Sequence, residues 1–81
     1  MPTATVLIQS ATPGPGAHKA VTEDVRSVGG VASAAAVIGA YDTVATIVGD
    51  TPEDLVTIAR TIADLEPVGH TLTLPWIGDT P

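Results

Sequence analysis

The apolar pattern along the chain switches between a period of two and a period near 3.6, and each switch marks a predicted element. Ala4 to Ser10 has an unbroken Val-Leu-Ile centre, with Val6 and Ile8 on one face and Thr5, Leu7 and Gln9 on the other. This predicts a strand with neighbours on both sides. Ala11-Thr12-Pro13-Gly14-Pro15-Gly16 reads as a loop, since two prolines and two glycines leave few alternatives. From Ala17 to Val28 the apolar residues Ala17, Val21, Val25 and Val28 fall at helical spacing, and Lys19, Thr22, Glu23 and Arg26 are expected to point outward. Gly29-Gly30 stops that helix, because one glycine can take the left-handed cap conformation. Val31 to Ile38 follows as a second strand. Its alanines favour helix by propensity, and position between a glycine stop and a turn decides for strand.

Thr43 to Val48 alternates cleanly and predicts the third strand. Thr51-Pro52-Glu53-Asp54 then has the chemistry of a helix start. Thr51 suits the N-cap, Pro52 the first turn, the acids complement the helix dipole, and Asp54 completes a capping-box-like pair. The helix is expected to run to about Leu65, burying Leu55, Ile58, Ala59, Ile62 and Leu65, and Glu66-Pro67 ends it. His70 to Trp76 is the fourth strand, with Leu72, Leu74 and Trp76 on one face and Thr71 and Thr73 on the other; Pro75 places its end at a sheet edge or past the last ladder bond. The resulting βαββαβ order predicts an α+β, ferredoxin-like fold: a four-stranded antiparallel sheet with both helices on one face. All 81 residues form one domain, its core spanning about residues 4–75 and residues 76–81 forming a tail.

Composition changes this picture in one respect. A chain of 81 residues buries only about 60% of its unfolded surface, and this one has no cysteine or phenylalanine to help. Yet 44% of it is hydrophobic, too much for a disordered chain. The sheet face away from the helices is also apolar and needs a cover, which a second copy would supply to make a dimeric α/β sandwich. The charge of −6, from three basic residues against nine acids, argues against direct nucleic-acid binding and against anionic membrane surfaces. No apolar run approaches the about 20 residues that span a bilayer, and Met1-Pro2-Thr3 lacks a signal-peptide start. A cytoplasmic protein is expected.

Most chemical readings fail on the residues. His18 and His70 lie far apart with no cysteine company, so no metal and no cofactor is expected. No nucleophile arrangement has a local signature, and Glu23-Asp24 and Glu53-Asp54 are helix neighbours whose side chains diverge. The Pro/Gly loop lacks the lysine and serine of a phosphate cradle, and the strands lack the aromatic residues on which RNA bases stack. What remains is the corner Gly39-Ala40-Tyr41-Asp42 between the middle strands. As a plain β-turn it has glycine at positive φ and Asp42 bonded to its own backbone. As a site it suits a zwitterion: turn N–H groups for a carboxylate, Asp42 for an ammonium and Tyr41 as a wall, with hydroxyls from Thr71 and Thr73.

Gly30-Val31, then Val37-Ile38-Gly39-Ala40-Tyr41-Asp42, and finally Val68-Gly69-His70-Thr71-Leu72-Thr73-Leu74 resemble the effector-binding (RAM) domain of Lrp/AsnC-type (feast/famine) regulators. The Gly-x-Tyr-Asp corner and the closing Thr-x-Thr strand stand at the right distance from each other, and the likeness runs from about Ala4 to Leu74. Val68-Gly69 reverses the family's Gly-Val order. The resemblance implies homodimers packed sheet to sheet, assembled further into octamers or other rings. It also implies amino-acid effectors bound between dimers, near the positions matching Gly39 to Asp42, Thr71 and Thr73. Full-length members carry a DNA-binding winged helix-turn-helix, so this chain is similar to a stand-alone form or a fragment, acting with a DNA-binding relative. The expectation is a non-catalytic, amino-acid-binding oligomerisation domain. Its rivals are an enzyme of the dimeric α+β-barrel type, with His70 as its titratable group, and a purely structural assembly module.

Overall fold

The computed structural model describes residues 1–12 and 15–77. The elements run β1 (Thr3–Ser10), α1 (Pro15–Arg26), β2 (Val31–Ala36), β3 (Thr43–Val48), α2 (Pro52–Ala63) and β4 (Val68–Pro75). They form one four-stranded sheet of order β2-β3-β1-β4, in which every pairing is antiparallel. This is the expected ferredoxin-like arrangement, with β1 central and β4 at an edge where Pro75 costs no ladder bond.

Register assigns each side chain a face. On the helix side, Ala36, Thr43, Ile8 and Thr71 form one row across all four strands, and Ala34, Ala45, Val6 and Thr73 form the next. On the open side the rows are Ala35, Val44, Leu7 and Leu72, then Ser33, Thr46, Thr5 and Leu74. The core lies under the helices: Val6, Ile8, Val21, Val25, Ile47 and Ile62 are wholly buried. Burying each such side chain stabilises the fold by roughly 1.5–3 kcal/mol.

Element ends differ from expectation for local reasons. Pro15 and Gly16, expected in the loop, belong to α1, as a proline at a first helical position allows. Residues 13 and 14 of that expected loop and the tail beyond Ile77 lie outside the described residues. α1 stops at Arg26 rather than Val28, because the Val28 N–H turns back to the Val25 carbonyl, 3.1 Å away. The fourth strand begins at Val68, two residues early. A turn from Leu65 to Val68, closed by a 3.0 Å hydrogen bond, delivers the chain straight into pairing with Ser10. The capping box at Thr51 and Asp54 forms as expected.

One orientation is corrected. Thr22, expected outward, is buried beneath the sheet, where its hydroxyl donates to the His18 carbonyl and shares a 2.9 Å hydrogen bond with the Thr43 hydroxyl. The Arg26 guanidinium donates twice to the Ala34 carbonyl, at 2.9 and 3.2 Å.

Candidate functional site

The corner between β2 and β3 is closed by a 2.9 Å hydrogen bond from the Val37 N–H to the Asp42 carbonyl. Gly39 within it has φ of 144°, a backbone conformation that glycine adopts without a Cβ penalty. Gly39 and Ala40 are exposed, and Tyr41 and Asp42 are half-buried. The corner leans on the end of β1. The Asp42 N–H donates to the Ile8 carbonyl at 2.8 Å, and the Gln9 amide donates to the Ala40 carbonyl at 3.1 Å.

The Asp42 carboxylate differs from the plain-turn expectation of a bond to its own backbone. It reaches across to β1 and α1 instead. One oxygen accepts the Ser10 N–H at 2.6 Å, and the other lies 3.0 Å from His18 Nε2. The reason lies in the β1–β4 ladder, whose register shifts between Gln9 and Ser10, so a side-chain acceptor from the corner satisfies the Ser10 N–H. That N–H, foremost, and the imidazole hold the Asp42 carboxyl below the usual range, against the opposing effect of partial burial. The Ser10 hydroxyl beside this junction is buried without a partner among the described residues.

Thr71 and Thr73 do not join the corner within one chain. Their rows place them on the helix face of the edge strand β4, with β1 between that strand and β3. They face a hollow of about 600 Å³ whose other wall is α2. On α2, Pro52, Leu55, Val56, Ala59, Arg60 and Ala63 recur at spacings of three and four and so share one side of the helix. The hollow exists because Ala59 and Ala63 on one wall and the two threonines on the other are too small to fill it. Neither threonine hydroxyl nor the Arg60 guanidinium has a protein partner among the described residues.

Several residues of these sites have little or no signature in the sequence. Ser10 gives no signal, since only the ladder shift exposes its N–H to Asp42, and His18 gives none, since only the packing of α1 brings it there. Val56 has one, because α2 carries apolar residues beyond the stripe that its core needs, and Arg60 has none. His70, the candidate catalytic group, is exposed and is not part of the hollow. Among the described residues no three histidine or acidic side chains converge as a metal site would require.

Known proteins place this arrangement. Neither a protein-family model nor a curated protein sequence matches the chain. Among solved structures, TTHA0845 from Thermus thermophilus is 33% identical with a TM-score of 0.83, covering 100% of this chain and 99% of its own. FFRP-DM1, a feast/famine regulatory protein, is 29% identical with a TM-score of 0.82, covering 95% of this chain and 100% of its own. At 14% identity, E. coli AsnC (TM-score 0.82) and the regulator NMB0573 from Neisseria meningitidis in complex with L-Met (TM-score 0.77) share the fold. This chain spans 52% of the length of each of those two, and 96% and 99% of it is matched. With similarity over nearly the full length of TTHA0845 and FFRP-DM1 and the Gly-x-Tyr-Asp corner at its expected place in the fold, the chain is similar to the RAM domain of Lrp/AsnC-type (feast/famine) regulators.

Proposed function

We propose that the protein is a non-catalytic sensor domain that self-associates through its open sheet face and binds an amino acid or related small metabolite at the Gly39–Asp42 corner. The observation that carries this reading is the Asp42 carboxylate, held in place by the Ser10 N–H and His18 next to the exposed Gly39-Ala40 backbone. A carboxylate oxygen accepts more than one hydrogen bond, so Asp42 keeps capacity for an ammonium group. The L-Met complex of the Neisseria relative favours an amino acid as the ligand class. Self-association is supported by the open face, where Leu72, Leu74 and Trp76 are 42%, 45% and 37% exposed beside half-buried Leu7 and Val44. In this reading homodimers pack sheet to sheet, assemble into a ring such as an octamer, and pass the signal to a DNA-binding relative. Thr71 and Thr73 reach a corner only when a second copy brings its own β4.

Two measurements test the reading. Native mass spectrometry with and without a panel of amino acids is expected to show an oligomer whose size or population one ligand changes. Calorimetric titration is expected to give a saturable signal for that ligand, lost in Asp42→Ala. An oligomer deaf to every amino acid would leave the structural assembly reading in its place.

A further inference from the structure

The chemistry of the hollow between α2 and β4 is the reverse of the corner's. Its walls are apolar apart from Arg60 and the hydroxyls of Thr71 and Thr73, and among the described residues no aspartate or glutamate lines it. Among the described residues the Arg60 guanidinium has neither an ion pair nor a hydrogen bond, which leaves all its donors available. Arg26, by contrast, is spent on the Ala34 carbonyl. Arg60 presents several N–H donors in a planar fork that matches a carboxylate, and the two threonines add donors from the facing wall. A zwitterion placed here would leave its ammonium without an anion. The volume of about 600 Å³ falls within the roughly 300–1,000 Å³ range of ligand pockets, with room for an extended apolar tail.

From this complementarity of charge and apolar surface we infer that the α2–β4 hollow binds monocarboxylates with an apolar tail, the carboxylate on Arg60 and the Thr71 and Thr73 hydroxyls, the tail along Val56, Ala59 and Ala63. A free fatty acid and a branched 2-oxo acid share this chemistry. The site shares Thr71 and Thr73 with the reading that brings them to a second copy's corner, but it uses neither Gly39 nor Asp42 and does not rest on that reading.

The test compares head groups on one tail. The intact protein is titrated with octanoate, 1-octanol and octylammonium, followed by amide chemical shifts and calorimetry; 4-methyl-2-oxopentanoate and leucine form a second pair. Octanoate or the oxo acid is expected to shift the amides of Arg60, Ala63, Thr71 and Thr73. The acid that does so is expected to bind at least ten-fold tighter than its amino counterpart, and its identity distinguishes the two sources. Arg60→Gln, an exposed helix substitution, is expected to weaken the acid at least ten-fold and leave octanol unchanged. Ala63→Trp, which fills the hollow, is expected to abolish binding of both, and Asp42→Ala to change neither. Equal affinity for octanoate and octylammonium, shifts confined to Leu72 and Leu74 on the opposite face, or silence from both acids would overturn the assignment.

Discussion

Replacing Asp42 by alanine separates the corner's structural work from any work on a ligand. The substitution removes the 2.6 Å acceptor of the Ser10 N–H and the group facing His18, at a point where the ladder supplies no substitute. A hydrogen bond to a charged group contributes about 1.5–3 kcal/mol net. Solvent reaches a fifth of the Asp42 side chain, so the lower part of that range applies, about 1.5–2 kcal/mol. In a domain this small such a loss lowers Tm by on the order of 10 °C.

The pH dependence follows from the direction of the Asp42 shift. A carboxyl held lower in the folded chain than in the unfolded one binds fewer protons when folded, so stability rises with pH across that window. The Asp42 contribution is therefore complete above the ordinary carboxylate range, near pH 4, and is lost as pH falls through the lower folded value. Urea unfolding of the wild type and Asp42→Ala, followed by the fluorescence of Trp76 at one protein concentration, gives the difference directly. It is expected to be full at pH 7 and to shrink as pH falls below the ordinary carboxylate range. Asp42→Asn, which keeps an acceptor but loses the charge, should fall between the two. A difference between wild type and alanine that stays the same from pH 7 to pH 2 would refute the reasoning, since it would mean that the carboxylate's charge plays no part.

Three further outcomes are expected. Gly30→Ala should destabilise by about 2–3 kcal/mol in thermal unfolding, because φ is 95° there and the new Cβ would lie 2.8 Å from Ile58 Cγ1, with Cδ1 also in the way. Thr51→Ala should cost about 1 kcal/mol in the same assay, since it removes the side-chain acceptor of the Asp54 N–H at the start of α2. Leu72→Lys, on the open face, should leave the circular dichroism of the subunit intact while shifting sedimentation towards smaller species; an unchanged sedimentation profile would place the self-association surface elsewhere.

The strands are readable in the sequence wherever apolar and polar residues alternate, as at Thr43 to Val48, whose bounds match the structure. The start of α2 is readable because a capping box is local chemistry within four residues. Thr22 is not, because a threonine on an α-helix shows its destination only when its partner is known. That partner, the Thr43 hydroxyl, is 21 positions away in sequence. The same holds for Asp42. Local turn chemistry predicts a bond to its own backbone, and only the shifted ladder of β1 and β4 offers the competing Ser10 N–H, 32 positions back.

Face parity carries the most weight for function. The sequence places Thr71 and Thr73 on the side of β4 opposite Leu72 and Leu74, and the register confirms this, yet parity alone does not say which side the helices cover. Once β1 is seen to bury Ala4, Val6 and Ile8, the threonines must lie on the helix side, and the two leucines must lie on the open side. One strand therefore serves two ends. Its leucines extend the apolar row through Leu7 and Val44 that a second copy would cover, while its threonines line a hollow under α2 that remains in the single subunit. A one-residue slip of β4 against β1 would exchange the two sets, burying the leucines in the hollow and placing hydroxyls on the association face. Shifting this register should therefore impair self-association and monocarboxylate binding together, whereas Leu72→Lys impairs only the first and Arg60→Gln only the second.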